Sequence, residues 1–115
     1  MKKLFFGASN DLEIQHTGSA SFISNYVSDL YIDNNADDKD IIFRCDDSSG
    51  GLTTYYRLDG SSKQTVFEQD VRFLDNIELR FGAGNDLTIL SDGNDAFIKN
   101  TVDDGDIIFQ SDDGS

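Results

Sequence analysis

The chain has few of the groups on which most small domains rely. None of its 115 residues is proline or tryptophan, and Cys45 is its one cysteine, so no intrachain disulfide can form. Cys45 itself reads as a small buried hydrophobe. Lysine and arginine together number nine against 22 Asp and Glu, giving a formal net charge of −13. Nucleic acid is held through basic patches that displace counterions, and a chain so poor in them is not expected to bind it, nor to bind anionic membrane surfaces. No apolar run approaches the roughly 20 residues of a membrane-crossing helix, and Leu4–Ala8 is shorter than the roughly 7–15 residues of a signal-peptide core. No stretch carries a helical stripe. Disorder is not expected either, because nine Phe and four Tyr make the chain too apolar for a solvated acidic tail.

What is present is a repeat. Leu4 to Asn25 reads LFFGASNDLEIQHTGSASFISN, and Leu79 to Asn100 reads LRFGAGNDLTILSDGNDAFIKN. The two align without a gap at an offset of 75 residues (Leu4 to Leu79). Among the identities are Leu4/Leu79, Phe6/Phe81, Gly7/Gly82, Asn10/Asn85, Asp11/Asp86, Leu12/Leu87, Ile14/Ile89, Phe22/Phe97, Ile23/Ile98 and Asn25/Asn100. The match resumes at Asp37-Asp38-Lys39-Asp40-Ile41-Ile42-Phe43 against Asp103-Asp104-Gly105-Asp106-Ile107-Ile108-Phe109, now at an offset of 66 (Asp37 to Asp103). The second copy thus lacks nine residues corresponding to about Ser28–Ala36, which reads as one strand and one turn. Serially stacked architectures tolerate such a loss, because each layer touches mainly its neighbours.

Elsewhere the apolar period is two. About a dozen short strands are expected, roughly nine residues apart, with turns written in Gly, Asn, Asp and Ser. They include segments at Leu30–Ile32, Val71–Phe73 and Ile107–Phe109. The organisation expected is 1–50 as the first copy, 51–76 as a connecting β segment and 77–115 as a second, shortened copy. With about one and a half copies, the row of apolar residues from Leu4 to Phe109 has too few layers to cover it. The chain is therefore expected to be a homo-oligomer whose core lies between chains.

Chemistry-bearing constellations are sparse. Gly82-Ala83-Gly84-Asn85-Asp86-Leu87 resembles the G-G-x-G-x-D nonapeptide of calcium-binding RTX β-rolls, in which glycine turns let Asp and backbone oxygens wrap the ion. Here it occurs singly in each copy instead of serially, and the simpler reading is a tight turn; a secreted cation-binding β-solenoid adhesin is the alternative it supports. The pairs Asp37-Asp38, Asp46-Asp47, Asp103-Asp104 and Asp112-Asp113 read as solvated turns, and none has EF-hand spacing. His16 is the only histidine, and its repeat partner is Ser91, so a Ser19–His16–Asp11 triad is not expected. No carboxylate pair stands out for glycoside chemistry. Tyr26, Tyr31, Tyr55 and Tyr56 are candidates for stacking on a glycan. No enzyme activity and no cofactor are expected, calcium being the one ion the turns suggest.

Together with DDGDIIFQSDDGS and TTYYRLDGSSKQTVFEQDVRF, the repeat resembles those of tail-fibre and other virion structural proteins of marine tailed phages. Their pattern is an L-x-F-G-x-G-x-D-L-x-I run, a polar turn, an aromatic-Ile pair, then G-D-I/L and an R-L-D-G segment. The resemblance implies an all-β fold of short-strand repeats in an elongated homotrimeric fibre, intertwined or stacked as in a β-helix or β-prism. It also implies an extracellular place on the virion, other virion proteins as partners, and a role in spacing or presenting a host-attachment region.

Overall fold

Alternating apolar residues between Gly, Asn, Asp and Ser clusters build strands and turns. The computed structural model describes residues 2–112 and 114, and these contain no helix. The strands are β1 (Lys2–Phe6), β2 (Leu12–His16), β3 (Ser21–Asn25), β4 (Ile41–Asp46), β5 (Leu52–Asp59), β6 (Gln64–Phe67), β7 (Leu79–Phe81), β8 (Leu87–Ser91) and β9 (Ala96–Asn100). They form three antiparallel sheets of three, in the orders β1-β2-β3, β4-β5-β6 and β7-β8-β9. The all-β expectation holds. The chain divides into two units, Met1–Val66 and Phe67–Ser115.

The repeat is a repeat of structure. In the first copy Leu4 pairs with Ile14 and Ile14 with Ile23; in the second Leu79 pairs with Ile89 and Ile89 with Ile98. Phe6, Leu12 and Asn25 form the next rung, matched by Phe81, Leu87 and Asn100. The connecting turns match as well. Gly7 and Gly82 both stand at φ +86°, and Asn10 and Asn85 at +60° and +57°, left-handed positions that Gly and Asn take at least cost. At Gly82 a side chain would also run into the Asp86 carboxylate, which folds back over the loop. The following turn is closed in copy one by Thr17 N–H donating to the Ala20 carbonyl (2.9 Å) and in copy two by Asp92 N–H donating to the Asp95 carbonyl (3.0 Å).

The middle sheet is cross-linked differently. Phe43 and Tyr56 stack at 4.5 Å between centroids with their planes 12° apart. Arg57 Nε lies 3.2 Å from Asp40, whose other carboxylate oxygen accepts from Gly60 N–H at 3.1 Å. A β-bulge between Phe43 and Arg44 leaves Tyr55 without a partner on β4.

No apolar side chain among the described residues is buried. The reason is architectural: a sheet needs a second layer over its apolar face, and within the first unit no strand of β1–β3 packs against β4 or β5. Cys45, expected inside, is therefore exposed on β4. Fewer strands form than expected, since residues 26–40, 68–78 and 101–112 contain none. In the first of these, Asn25 Nδ2 donates to the Val27 and Ser28 carbonyls, with Ser28 at φ +58°. That local loop takes the chain off the sheet edge, and Leu30–Ile32 remains extended but unpaired.

Glu13, on the middle strand of the first sheet, is 5 % exposed and forms an ion pair with Lys3 Nζ at 2.8 Å. Its counterpart in copy two is Thr88, equally covered. Removing only one partner strands a buried charge, whereas replacing the acid removes the need for the pair. Lys3→Ala is expected to destabilise by about 1–3 kcal/mol, and Glu13→Thr by less than about 1 kcal/mol; urea unfolding of the two variants measures both.

Candidate interaction face

The two copies agree in the apolar rungs of one face of their sheets and differ over most of the other. In a strand, alternate residues share a face and cross-strand partners lie on the same side. Leu4, Phe6, Leu12, Ile14 and Ile23 thus form one face in copy one; Leu79, Phe81, Leu87, Ile89 and Ile98, residue for residue the same, form it in copy two. On the opposite face Phe5 becomes Arg80, Glu13 becomes Thr88, Gln15 becomes Leu90 and Ser24 becomes Lys99, with only Phe22/Phe97 kept. The conservation is confined to the two apolar rungs, since His16 and Ser21 on the same face become Ser91 and Ala96.

That side is wet. Leu4, Ile14 and Ile23 are 57, 42 and 61 % exposed, and Ile89 and Ile98 are 39 and 54 % exposed. Aliphatic surface left in water in this way is costly. The apolar row expected from the sequence needs one correction here. Phe22 and Phe97 follow the opposite face, because adjacent residues of a strand cannot point to the same side. Phe97 there carries the Lys99 ammonium 4.6 Å above its ring, a cation–π contact.

The other candidates are dispersed. His16 Nδ1 meets Ser21 Oγ at 3.1 Å, while Ser19 Oγ meets Thr17 Oγ1 at 3.3 Å, so the structure gives no Ser19–His16–Asp11 relay. In the RTX-like loop, Asn85 N–H donates to the Gly82 carbonyl at 3.1 Å. Among the described residues no three His, Cys, Asp or Glu side chains converge on a point that would hold a metal ion. Asp113, of the last acidic pair, lies outside the described residues. Of the tyrosines, Tyr26 is exposed just after β3 and Tyr31 in the stretch that only copy one has, Tyr55 is exposed at the bulge, and Tyr56 is taken up by the stack on Phe43.

Several acids instead serve as turn caps. Asp59 accepts from the backbone N–H of Ser62 (2.8 Å) and Ser61 (3.1 Å) and from Ser61 Oγ (2.8 Å). These bonds favour the carboxylate and lower its pKa from 3.8 to about 2, the Ser62 N–H contributing most. The Ser49 hydroxyl and then its N–H lower Asp47, and the Asp95 and Asn94 N–H groups lower Asp92. This role was not legible in the sequence beyond the turn propensity of D-G-S-S and D-D-S-S.

No protein-family profile, no curated protein and no solved structure matches this chain.

Since the folded Asp59 carboxyl titrates below its unfolded value, its turn contribution is complete above about pH 4 and is lost as pH falls from 3.8 towards about 2. An NMR titration should place the Asp59 carboxyl midpoint near 2, and Ser61→Ala should move that midpoint upward.

Proposed function

We propose that this chain is a structural segment of a phage tail fibre or related virion appendage, associating through its aliphatic face and serving to space and present a host-attachment region. The observation that carries the reading is the pair of exposed apolar rungs, Leu4–Ile14–Ile23 and Phe6–Leu12, repeated residue for residue as Leu79–Ile89–Ile98 and Phe81–Leu87. Other copies would cover these rungs, and closed symmetry satisfies every copy alike.

Three-fold symmetry, the elongated form and the virion setting rest on the resemblance of L-R-F-G-A-G-N-D-L-T-I, D-G-D-I-I-F and Y-R-L-D-G to phage fibre repeats. In such a trimer the three aliphatic faces point inward and the acidic turns outward. A charge of −13 per chain then keeps neighbouring fibres apart. The reading assigns no reaction to the segment.

Light scattering tests it. The wild-type chain is expected to run at the mass of three chains and to keep its β circular dichroism. Ile14→Asp with Ile89→Asp, on the aliphatic face, should abolish assembly and fold together. Gln15→Asp, on the opposite face, should leave both intact. A folded wild-type monomer at low micromolar concentration would overturn the reading.

A further inference from the structure

Four Asp-Gly pairs punctuate this chain, and none of its asparagines precedes a glycine. An aspartate before glycine is open to attack on its side-chain carboxyl by the next main-chain nitrogen, because glycine puts no side chain in the way. Three of the pairs lie within the described residues, and their carboxyls are held very differently. Asp59 accepts from Ser61 N–H, Ser61 Oγ and Ser62 N–H, and Gly60 N–H is itself turned to the Asp40 carboxylate (3.1 Å). Asp92 accepts from Asn94 N–H (2.9 Å) and Asp95 N–H (2.7 Å), and Gly93 N–H donates to Ser91 Oγ at 3.2 Å. Asp104 stands exposed at φ +59°, and its carboxylate has no hydrogen bond or ion pair among the described residues. Only a neutral bond on the surface restrains the nitrogen beside it, from Gly105 N–H to the Val102 carbonyl at 3.1 Å.

We propose that Asp104-Gly105 is a self-modification site, at which aspartate converts to isoaspartate through a cyclic imide, while the fold protects Asp59-Gly60 and Asp92-Gly93. The Gly105 nitrogen bonds to Asp104 Cγ, and its proton and the carboxyl hydroxyl leave as water. Water then opens the five-membered ring at the main-chain carbonyl. The chain now runs on through Cβ, and the former main-chain carbonyl is a free carboxylate. Net charge is unchanged, and water is the only other reactant. The bonds on Asp59 and Asp92 act against this reaction twice. They hold the carboxyl on residues two and three positions on, and they favour the carboxylate, which has no hydroxyl to lose. The turn around Asp104 is closed by its own residues: Asn100 Nδ2 donates to the Asp106 carbonyl and Val102 N–H to Asn100 Oδ1, both at 2.9 Å. Copy one builds the same turn, with Asn34 Nδ2 donating to the Asp40 carbonyl (2.8 Å) and Asp38 at φ +55°, but there Lys39 follows the aspartate. The β-linked residue adds a backbone atom inside the loop that Asn100 clasps, so modification loosens this loop in copy two and not its counterpart in copy one. The inference stands whether or not the chain associates through its aliphatic face.

The test is to hold the full chain at body temperature and mildly acidic pH, digest it, and map it by electron-transfer fragmentation, which tells isoaspartate from aspartate residue by residue. A parallel sample is held in urea. In the folded chain isoaspartate at 104 should accumulate about tenfold or more faster than at 59 or 92, since those carboxyls must first give up charge-assisted bonds. In urea the three rates should become alike. Gly105→Lys, which writes the copy-one turn into copy two, should abolish the product at 104 and keep the β circular dichroism. A folded chain that forms no more isoaspartate at 104 than at 59 or 92 would overturn the proposal. The same preference for 104 in urea would also overturn it, by assigning the selectivity to local sequence instead of the fold.

Discussion

Sheets one layer deep cannot keep water off both of their faces. In this chain the three-stranded sheets are well formed along their hydrogen-bonded ladders, yet no apolar side chain among the described residues is buried. Backbone pairing and turn chemistry fix the local structure, while the hydrophobic term that ordinarily dominates folding remains unused within one copy. A small hairpin sheet without a covered face is marginal on its own. In the proposed assembly the aliphatic rungs Leu4–Ile14–Ile23 and Leu79–Ile89–Ile98 supply that missing stabilisation, and their identity in both copies fits that need.

The acidic residues fall into place around the same constraint. Asp47, Asp59 and Asp92 sit at turn tips, where their carboxylates accept from nearby N–H and hydroxyl groups and titrate low for that reason. Asp40 acts between strands, tying Arg57 and Gly60 to the start of β4. None of these roles calls for a metal ion, and each puts negative charge at the rim of a sheet instead of on its aliphatic face. Apolar surface on the strands and acid in the turns are thus kept apart.

Much of the fold could be read from the residues. Short apolar runs and period-two alternation marked a segment in each of the nine strands, and the 75-residue offset foretold that Leu79–Ile89–Ile98 would repeat Leu4–Ile14–Ile23. The failures share a cause. Leu30–Ile32, Val71–Phe73 and Ile107–Phe109 alternate as strands do, but a strand is defined by its neighbour, and alternation does not say whether a neighbour exists. Cys45 was misread for a related reason: residue type predicts burial only where there is a second layer to bury against. The division of faces was hidden too, since Phe22-Ile23 reads as one apolar pair until register sends the two side chains to opposite sides. The cap formed at Asp59 depends on the left-handed residue Lys63 closing the turn (φ +57°), which no local sequence rule singles out.

If folding and association are one event, stability must depend on protein concentration, because a partner that binds only the folded chain stabilises it by mass action. Thermal unfolding across a hundredfold dilution series, followed by far-ultraviolet circular dichroism, measures this directly. The account predicts a midpoint that falls steadily on dilution, with the β signal and the assembled mass lost together. A midpoint unchanged across the series, with the native β signal intact at the lowest concentration, would contradict it.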